Sequence, residues 1–343
     1  MAEFRIGGRA IGEDHPPLVI AEVGINHEGS YQKAIELVDA AQTAGAECIK
    51  FQSHITEAEM LETDMRPGNI SRDRLWDIIK RCELTADEER QVKDYVESKG
   101  MLYLCTPFSR EAADRLERLE VAGFKIGSGE CNNVPLLEHV ARKGKPIILS
   151  TGMNDLRSVR PSVEVIQAIG CPLMLLHCTS AYPASYAQMR LGAIGELQQA
   201  FSLPVGLSDH SLGIYVALGA VALGACVIEK HFTVSRSWPG PDISLSIEPH
   251  ELAELVKGSR AVWEARGGSK TILADEQPVI DFAYHCVVSI RPIQKGERFS
   301  LQNTWVKRPG NGPIPASQLD TVLGRSAARD LPDGVQIAPS DLA

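Results

Sequence analysis

The strongest constraint in this sequence is an alternation. Eight short, almost continuously apolar runs, Leu18–Val23, Cys48–Phe51, Met101–Cys105, Gly123–Ile126, Pro146–Leu149, Leu173–His177, Pro204–Leu207 and Cys226–Ile228, are separated by amphipathic segments. A strand that is apolar on both faces belongs in a parallel sheet covered on both sides. The intervening segments have helical spacing: Tyr31–Ala44, Thr85–Lys99, Arg110–Leu119, Val134–Arg142, Asp155–Ile169, Met189–Phe201 and Ser211–Leu223, with Pro249–Ala265 after the last strand. Thr85 and Glu88 have the spacing of a capping box, and Gly45 and Gly100 stand where helices should stop. Eight strand–helix units predict an α/β fold, a (β/α)8 TIM barrel over 1–266, with a doubly wound open sheet as the alternative.

After Arg266 the rhythm breaks. Residues 267–280 read as a polar linker, and 281–343 as a small turn-rich domain with short strand-like pieces. Charge divides the same way. The chain carries −9 at pH 7, whereas 285–343 holds seven Lys+Arg against five Asp+Glu, leaving −11 for the remainder. That acidity argues against a nucleic-acid partner, which requires a basic face. An anionic small molecule stays possible, because Lys50 and Lys125 at the strand ends would reverse the sign locally. The eight cysteines form no C-x-x-C pair, and the N-terminus lacks the apolar core of an export signal; buried reduced thiols in a cytoplasmic protein are expected. Leu212–Ile228 is uncharged but ends in Glu229-Lys230-His231, and it reads as a buried helix turning at Gly224 into a buried strand, with no membrane contact.

Catalytic groups of a barrel project from the C-terminal strand ends. Lys50, Thr106, Lys125, Ser128, Ser150 and Ser208 all fall there and mix cationic with neutral donors, a set suited to phosphate or carboxylate. The competing reading is that each lysine only neutralises a neighbouring acid. His210 and His231 close the last two strands; such a pair is either structural or holds a divalent metal with open positions for water. Glu22 and Glu130 are the acid–base candidates.

The motifs IAEVGINHEGS (20–30), IKFQ (49–52), TPFS (106–109), FKIGSGECNNVPLL (124–137), PIILSTGMN (146–154), LLHCTSAYP (175–183), VGLSDHSLG (205–213), EKHFT (229–233), GPDISLS (240–246) and VKRPGNG (306–312) resemble those of the bacterial sialic acid synthases, in order along nearly the whole chain. The C-terminal piece resembles the antifreeze-like (SAF) domain of those enzymes. The resemblance implies a metal-dependent condensation of phosphoenolpyruvate with an N-acylated mannosamine-type sugar, releasing phosphate and a nine-carbon keto acid. N-acetylneuraminate is the expected product. Legionaminate, from 2,4-diacetamido-2,4,6-trideoxymannose, is the alternative, because SGECNN looks like those two branches rather than the pseudaminate one.

By the same resemblance His210 and His231 hold Mn²⁺, or Mg²⁺ or Co²⁺. Lys50, Gln52, Thr106, Lys125, Ser128, Ser150 and Ser208 hold phosphoenolpyruvate. Ser180 stands where neuraminate synthases often have asparagine. Glu22, Asn69, Tyr182, Asp242 and Phe282 hold the sugar, Glu130 handles a proton, and Arg308 reaches the neighbouring subunit's barrel in a domain-swapped homodimer. Two other readings compete: a metal-dependent aldolase using free pyruvate, and a carbohydrate- or ice-binding protein acting through its C-terminal domain.

Overall fold

The computed structural model describes residues 4–68 and 71–343. By internal contacts the chain divides into two compact units, Met1–Gly267 and Gly268–Ala343. The first opens with an antiparallel hairpin, β1 (Phe4–Ile6) and β2 (Arg9–Ile11), that has no counterpart among the expected elements. Eight parallel strands follow: β3 (Leu18–Gly24), β4 (Cys48–Ser53), β5 (Leu102–Pro107), β6 (Phe124–Ile126), β7 (Ile147–Ser150), β8 (Leu173–Cys178), β9 (Val205–Asp209) and β10 (Val227–His231). Their order is β5-β4-β3-β10-β9-β8-β7-β6, and the end strands β5 and β6 lie side by side, so the sheet curls into a nearly closed barrel. The open-sheet alternative is thereby excluded.

The helices of this unit are α1 (Tyr31–Thr43), α2 (Thr56–Glu59), α3 (Leu75–Cys82), α4 (Ala86–Ser98), α5 (Arg110–Arg118), α6 (Val134–Ala141), α7 (Leu156–Ile169), α8 (Ala193–Phe201), α9 (Tyr215–Ala222) and α10 (Pro249–Ala265). The Thr85–Glu88 capping box opens α4 as its spacing predicts. The expected single helix Met189–Phe201 is instead a 3-10 turn, Tyr186–Met189, and then α8. Arg190 between them is left-handed (φ +42°), which no α-helix continues through. Helices α2 and α3 also escape the sequence reading; α2 is a single turn, too short to repeat a period, whereas α3, as long as α6, is simply missed. The apolar stretch before Glu229 behaves as expected: α9 ends, Gly224 turns at φ +100°, and β10 begins. Among the described residues no helix is long and apolar enough to cross a membrane. All eight cysteines are free and buried.

Two apolar layers fill the barrel. One lies between strands and helices. The other fills the N-terminal end of the barrel: Phe4, Ile6 and Ile11 of the hairpin pack against Leu18, Ile20, Leu104, Ile148, Met174 and Leu176. Ile6 approaches Gly123 so closely that a Cβ there would meet its Cδ1 at 2.5 Å, which explains the glycine at the start of β6. The hairpin therefore covers that end, and polar groups gather at the other.

One ion pair lies behind the strands. Lys230 of β10 donates to Asp209 of β9 at 3.0 Å with both side chains fully buried, and it also donates to the Ser211 carbonyl. Removing one partner of a buried pair strands the other charge, so Lys230→Met should cost about 3 kcal/mol of stability. Adding Asp209→Asn should recover more than half of that, measured by urea unfolding; equal losses in the single and double variants would refute the electrostatic account.

The second unit holds a 3-10 turn (Ala274–Glu276), α11 (Gln277–Ala283), β11 (Cys286–Ser289), the antiparallel β12 (Thr304–Lys307) and α12 (Leu319–Val322). Part of the stretch read as linker is thus helical. Val287, Ile293, Phe299, Ile314, Val322, Leu331 and Ile337 form its own small core.

Candidate active site

At the C-terminal strand ends a cavity of about 360 Å³ is walled by side chains from every barrel strand or the loop after it. Glu22 comes from β3, Lys50 and Gln52 from β4, and Thr106 from β5. Lys125 comes from β6, with Ser128 and Glu130 just beyond it. Ser150 ends β7, Ser180 and Tyr182 follow β8, Ser208 and His210 come from the end of β9, His231 ends β10, and Asp242 lies further on. Fourteen of the seventeen residues singled out in the sequence thus line one cavity. Asn69 lies outside the described residues. Phe282, on α11, and Arg308, just after β12, belong to the second unit, and both are exposed there.

The two lysines are not free cations. Lys50 Nζ sits 2.8 Å from Glu22 Oε2 and 3.9 Å from Glu229 Oε2, and it donates to Thr106 Oγ1 at 3.2 Å. Lys125 Nζ donates to Glu229 Oε1 at 3.1 Å, where the Ser208 hydroxyl also donates at 2.9 Å. The expectation that Lys50 and Lys125 reverse the local sign is therefore wrong for this state. A buried ammonium without a counter-charge is too costly to fold around, so two glutamates accompany them. Burial works against the charge on Glu229, yet Lys125 and Lys50 together hold its carboxyl down to about 2. On Glu22 burial prevails over Lys50 and raises the carboxyl to about 7.

Glu229 is the site residue that sequence reasoning passed over. Its signal was the two-residue alternation of a strand: in Glu229-Lys230-His231 the outer pair faces the cavity, and Lys230 faces Asp209 behind it.

Several polar atoms in the cavity wall carry no hydrogen bond: Ser150 Oγ, Glu130 Oε2 and His231 Nδ1 are all buried and unpartnered. Glu130 folds over Gly127, where an added Cβ would meet Oε2 at 2.6 Å, and burial raises its carboxyl to about 7. A Cβ on Gly152 would strike Ser180 Oγ at 2.4 Å, Ser128 Oγ at 2.7 Å and Cys178 Sγ at 3.1 Å, so this glycine lets the three converge. Near Gly24 the opposite character prevails: Glu22 Oε1, Gln52 Nε2 and Asp242 Oδ2 all lie within 4 Å of its would-be Cβ. Burial raises Asp242 to about 6.

His210 and His231 stand with ring centroids 5.4 Å apart, and Tyr182 stacks on His210 at 4.3 Å. His210 Nδ1 bonds the Thr179 carbonyl at 2.9 Å, which orients the ring as a backbone contact orients a metal ligand. Asp242 Oδ2 is 3.9 Å from the orphaned His231 Nδ1. Among the described residues no cluster of three or more His, Cys, Asp or Glu side chains is shaped to hold an ion. Two imidazoles with a nearby carboxylate and no closed cage fit a catalytic divalent ion that keeps open positions, not a structural zinc.

A sequence match to the NeuB family spans residues 37–271, and one to the SAF domain spans 284–343. The chain belongs to the NeuB family. Among NeuB relatives, an uncharacterized protein of Methanocaldococcus jannaschii is 40% identical over 332 residues, 96% of each chain. The N,N'-diacetyllegionaminic acid synthase of Legionella pneumophila is 37% identical over 330 residues, 93% of this chain and 92% of its own. The crystal structure of the N-acetylneuraminic acid synthetase of Leptospira borgpetersenii superposes with a TM-score of 0.74 at 35% identity, covering 81% of this chain and 95% of that one. The NeuB barrel, its SAF domain and the sialic acid synthase resemblance read from the motifs thus agree.

Proposed function

We propose that this chain condenses phosphoenolpyruvate with N-acetylmannosamine and water to give N-acetylneuraminate and phosphate. The observation that carries the reading is the buried Lys50–Glu229–Lys125 cluster, with the unpartnered Ser150 hydroxyl in the same cavity. Lys50 and Lys125 hold the carboxylate and phosphate as point charges, while Thr106, Ser128, Ser150 and Ser208 supply hydroxyl donors. The sugar lies toward Glu22, Tyr182 and Asp242, and Gln52, which the resemblance places with phosphoenolpyruvate, is reassigned to this side because its amide donates to Glu22 Oε1 and gathers with Glu22 and Asp242 around Gly24. His210 and His231 hold the divalent cation, manganese in this reading. What that cation supplies when bound is Lewis acidity toward the carbonyl oxygen of the open-chain sugar.

The methylene carbon of phosphoenolpyruvate forms the new carbon–carbon bond, water adds at the enol carbon, and the C–O bond to phosphate breaks. Glu130, with its Oε2 unpartnered and its carboxyl raised to about 7, moves a proton at the reacting carbons. Lys125 stays with the departing phosphate. Its replacement by alanine should raise the Michaelis constant for phosphoenolpyruvate about 10- to 100-fold and that for the sugar less than about threefold. Equal rises in both would argue against the assignment.

A second sugar is favoured by the 37% identity to the legionaminic acid synthase: 2,4-diacetamido-2,4,6-trideoxymannose, yielding the legionaminate product. The deciding experiment supplies the full chain with phosphoenolpyruvate, Mn²⁺ and each sugar in turn, with mass detection of the keto acid and assay of phosphate. Turnover of free pyruvate without phosphate release would replace the synthase reading with an aldolase.

A further inference from the structure

We propose that His54 and Glu59 are positioning residues that lock the amide of Gln52, and so fix the donor–acceptor pattern that the sugar-facing wall presents. The inference rests on the synthase reading above and deepens it. All three residues come from one short segment. β4 ends just before His54, and α2 brings Glu59 back onto it. His54 Nδ1 lies 2.9 and 3.1 Å from the two Glu59 oxygens, and its Nε2 lies 2.9 Å from Gln52 Oε1. Gln52 Nε2 donates to Glu22 Oε1 at 3.2 Å. The pair is almost wholly buried, with side chains 3% and 4% exposed, and the His54 ring stacks on Phe108 at 4.5 Å. The start of α2 is held in turn by Glu83, which accepts from the Thr56 amide and hydroxyl and is paired with Lys80 at 3.1 Å.

Hydrogen-bond polarity runs one way along this chain. In its ionised, Lys50-paired form Glu22 is an acceptor only, and Gln52 then turns its NH2 toward it. The Gln52 carbonyl then faces His54 Nε2, which must carry a hydrogen. Nδ1 faces a carboxylate, so one further proton lies between His54 and Glu59, whichever of the two carries it. While Glu22 carries its charge, the flipped amide would set a carbonyl against the carboxylate and NH2 against N–H, so the ionised state of Glu22 selects the orientation seen. Gln52 and Glu22 thus present a donor and an acceptor side by side on the cavity wall, which matches one sugar hydroxyl that accepts from the first and donates to the second. Other titratable groups within electrostatic reach are Glu130, after β6, which feels both His54 and Glu59, and His27, after β3, which feels His54.

The test separates hydrogen-bond direction from packing. In His54→Gln the amide nitrogen reaches about the position of Nε2, whereas His54→Asn reaches only that of Nδ1. With the full chain, phosphoenolpyruvate and N-acetylmannosamine, His54→Asn should raise the sugar Michaelis constant about tenfold and leave that for phosphoenolpyruvate within about twofold. His54→Gln should stay within about threefold of wild type for both. In a Gln52→Ala background, His54→Asn should add less than about twofold. Equal losses in the two His54 variants, or a loss undiminished in that background, overturns the proposal. Nitrogen-15 histidine spectra of the substrate-free chain give a readout independent of turnover: a protonated Nε2 on His54 that responds to Gln52→Ala is expected, and a bare Nε2 overturns the lock. If the wild type makes no keto acid from any acylated mannosamine, the synthase reading fails while these spectra still decide the pair.

Discussion

Replacing Glu130 with glutamine should lower kcat about 10³-fold while leaving the Michaelis constant for phosphoenolpyruvate within about threefold, the pattern of a group that the proposed reaction uses for proton transfer and not to anchor the anion. The substitution keeps the shape of a side chain that Gly127 was cleared to admit, and removes only the proton. It also acts on stability, in a direction opposite to most active-site changes of buried ion pairs. Burial raises the Glu130 carboxyl to about 7 from an ordinary 4.5, so the native state binds this proton more tightly than the unfolded chain. The stability contributed by that proton is complete below pH 4.5 and lost as pH rises through about 7. Glu130→Gln should therefore be more stable than wild type by about 3 kcal/mol at pH 8, and no more stable at pH 4. Parallel melting curves and single-turnover kinetics check both halves. A variant that turns over at wild-type rate removes Glu130 from the chemistry.

On the reaction proposed above, in which a cation held by His210 and His231 would act as a Lewis acid, His231→Ala, or treatment of the wild type with a chelator, should lower turnover at least about 10³-fold. The two interventions differ in a useful way. Added Mn²⁺ should restore the chelated protein and should fail to restore His231→Ala, whose cation affinity, measured by direct titration calorimetry, should drop in step. The geometry behind this is the orphaned Nδ1 of His231 beside Asp242 and the backbone-oriented ring of His210. Turnover undiminished after chelation would leave the two histidines as structural neighbours.

Most of the barrel was legible because its strands are apolar on both faces and its helices are long enough to show a period. Apart from α3, what was missed fails that condition for physical reasons. The hairpin Phe4–Ile11 has three-residue strands, and α2 has four residues; neither is long enough to repeat its period. The break at Arg190 depends on a left-handed backbone that arginine does not advertise. In the site, position at a strand end located most of the cavity wall. It did not reveal charge balance. Lys50 and Lys125 looked like an excess of positive charge until Glu22 appeared as the register neighbour and ion partner of Lys50, and Glu229, from a strand that pairs with neither lysine's strand, as the ion partner of Lys125. His54 and Glu59 were passed over because their partner, Gln52, was read for what it faces rather than for what holds it.

Strand β10 carries a consequence for assembly of the barrel. A parallel strand that is apolar on both faces has little in its side-chain pattern to say where it should stop sliding against its neighbours. Here the terminal tripeptide acts as a key. Glu229 matches Lys125, Lys50 and Ser208 on the inside, and Lys230 matches Asp209 on the outside. A slip by one residue would turn the ammonium inward and the carboxylate outward, leaving both networks without their counter-charges. The chemistry at the mouth and the alignment of the staves are thus written in the same three letters.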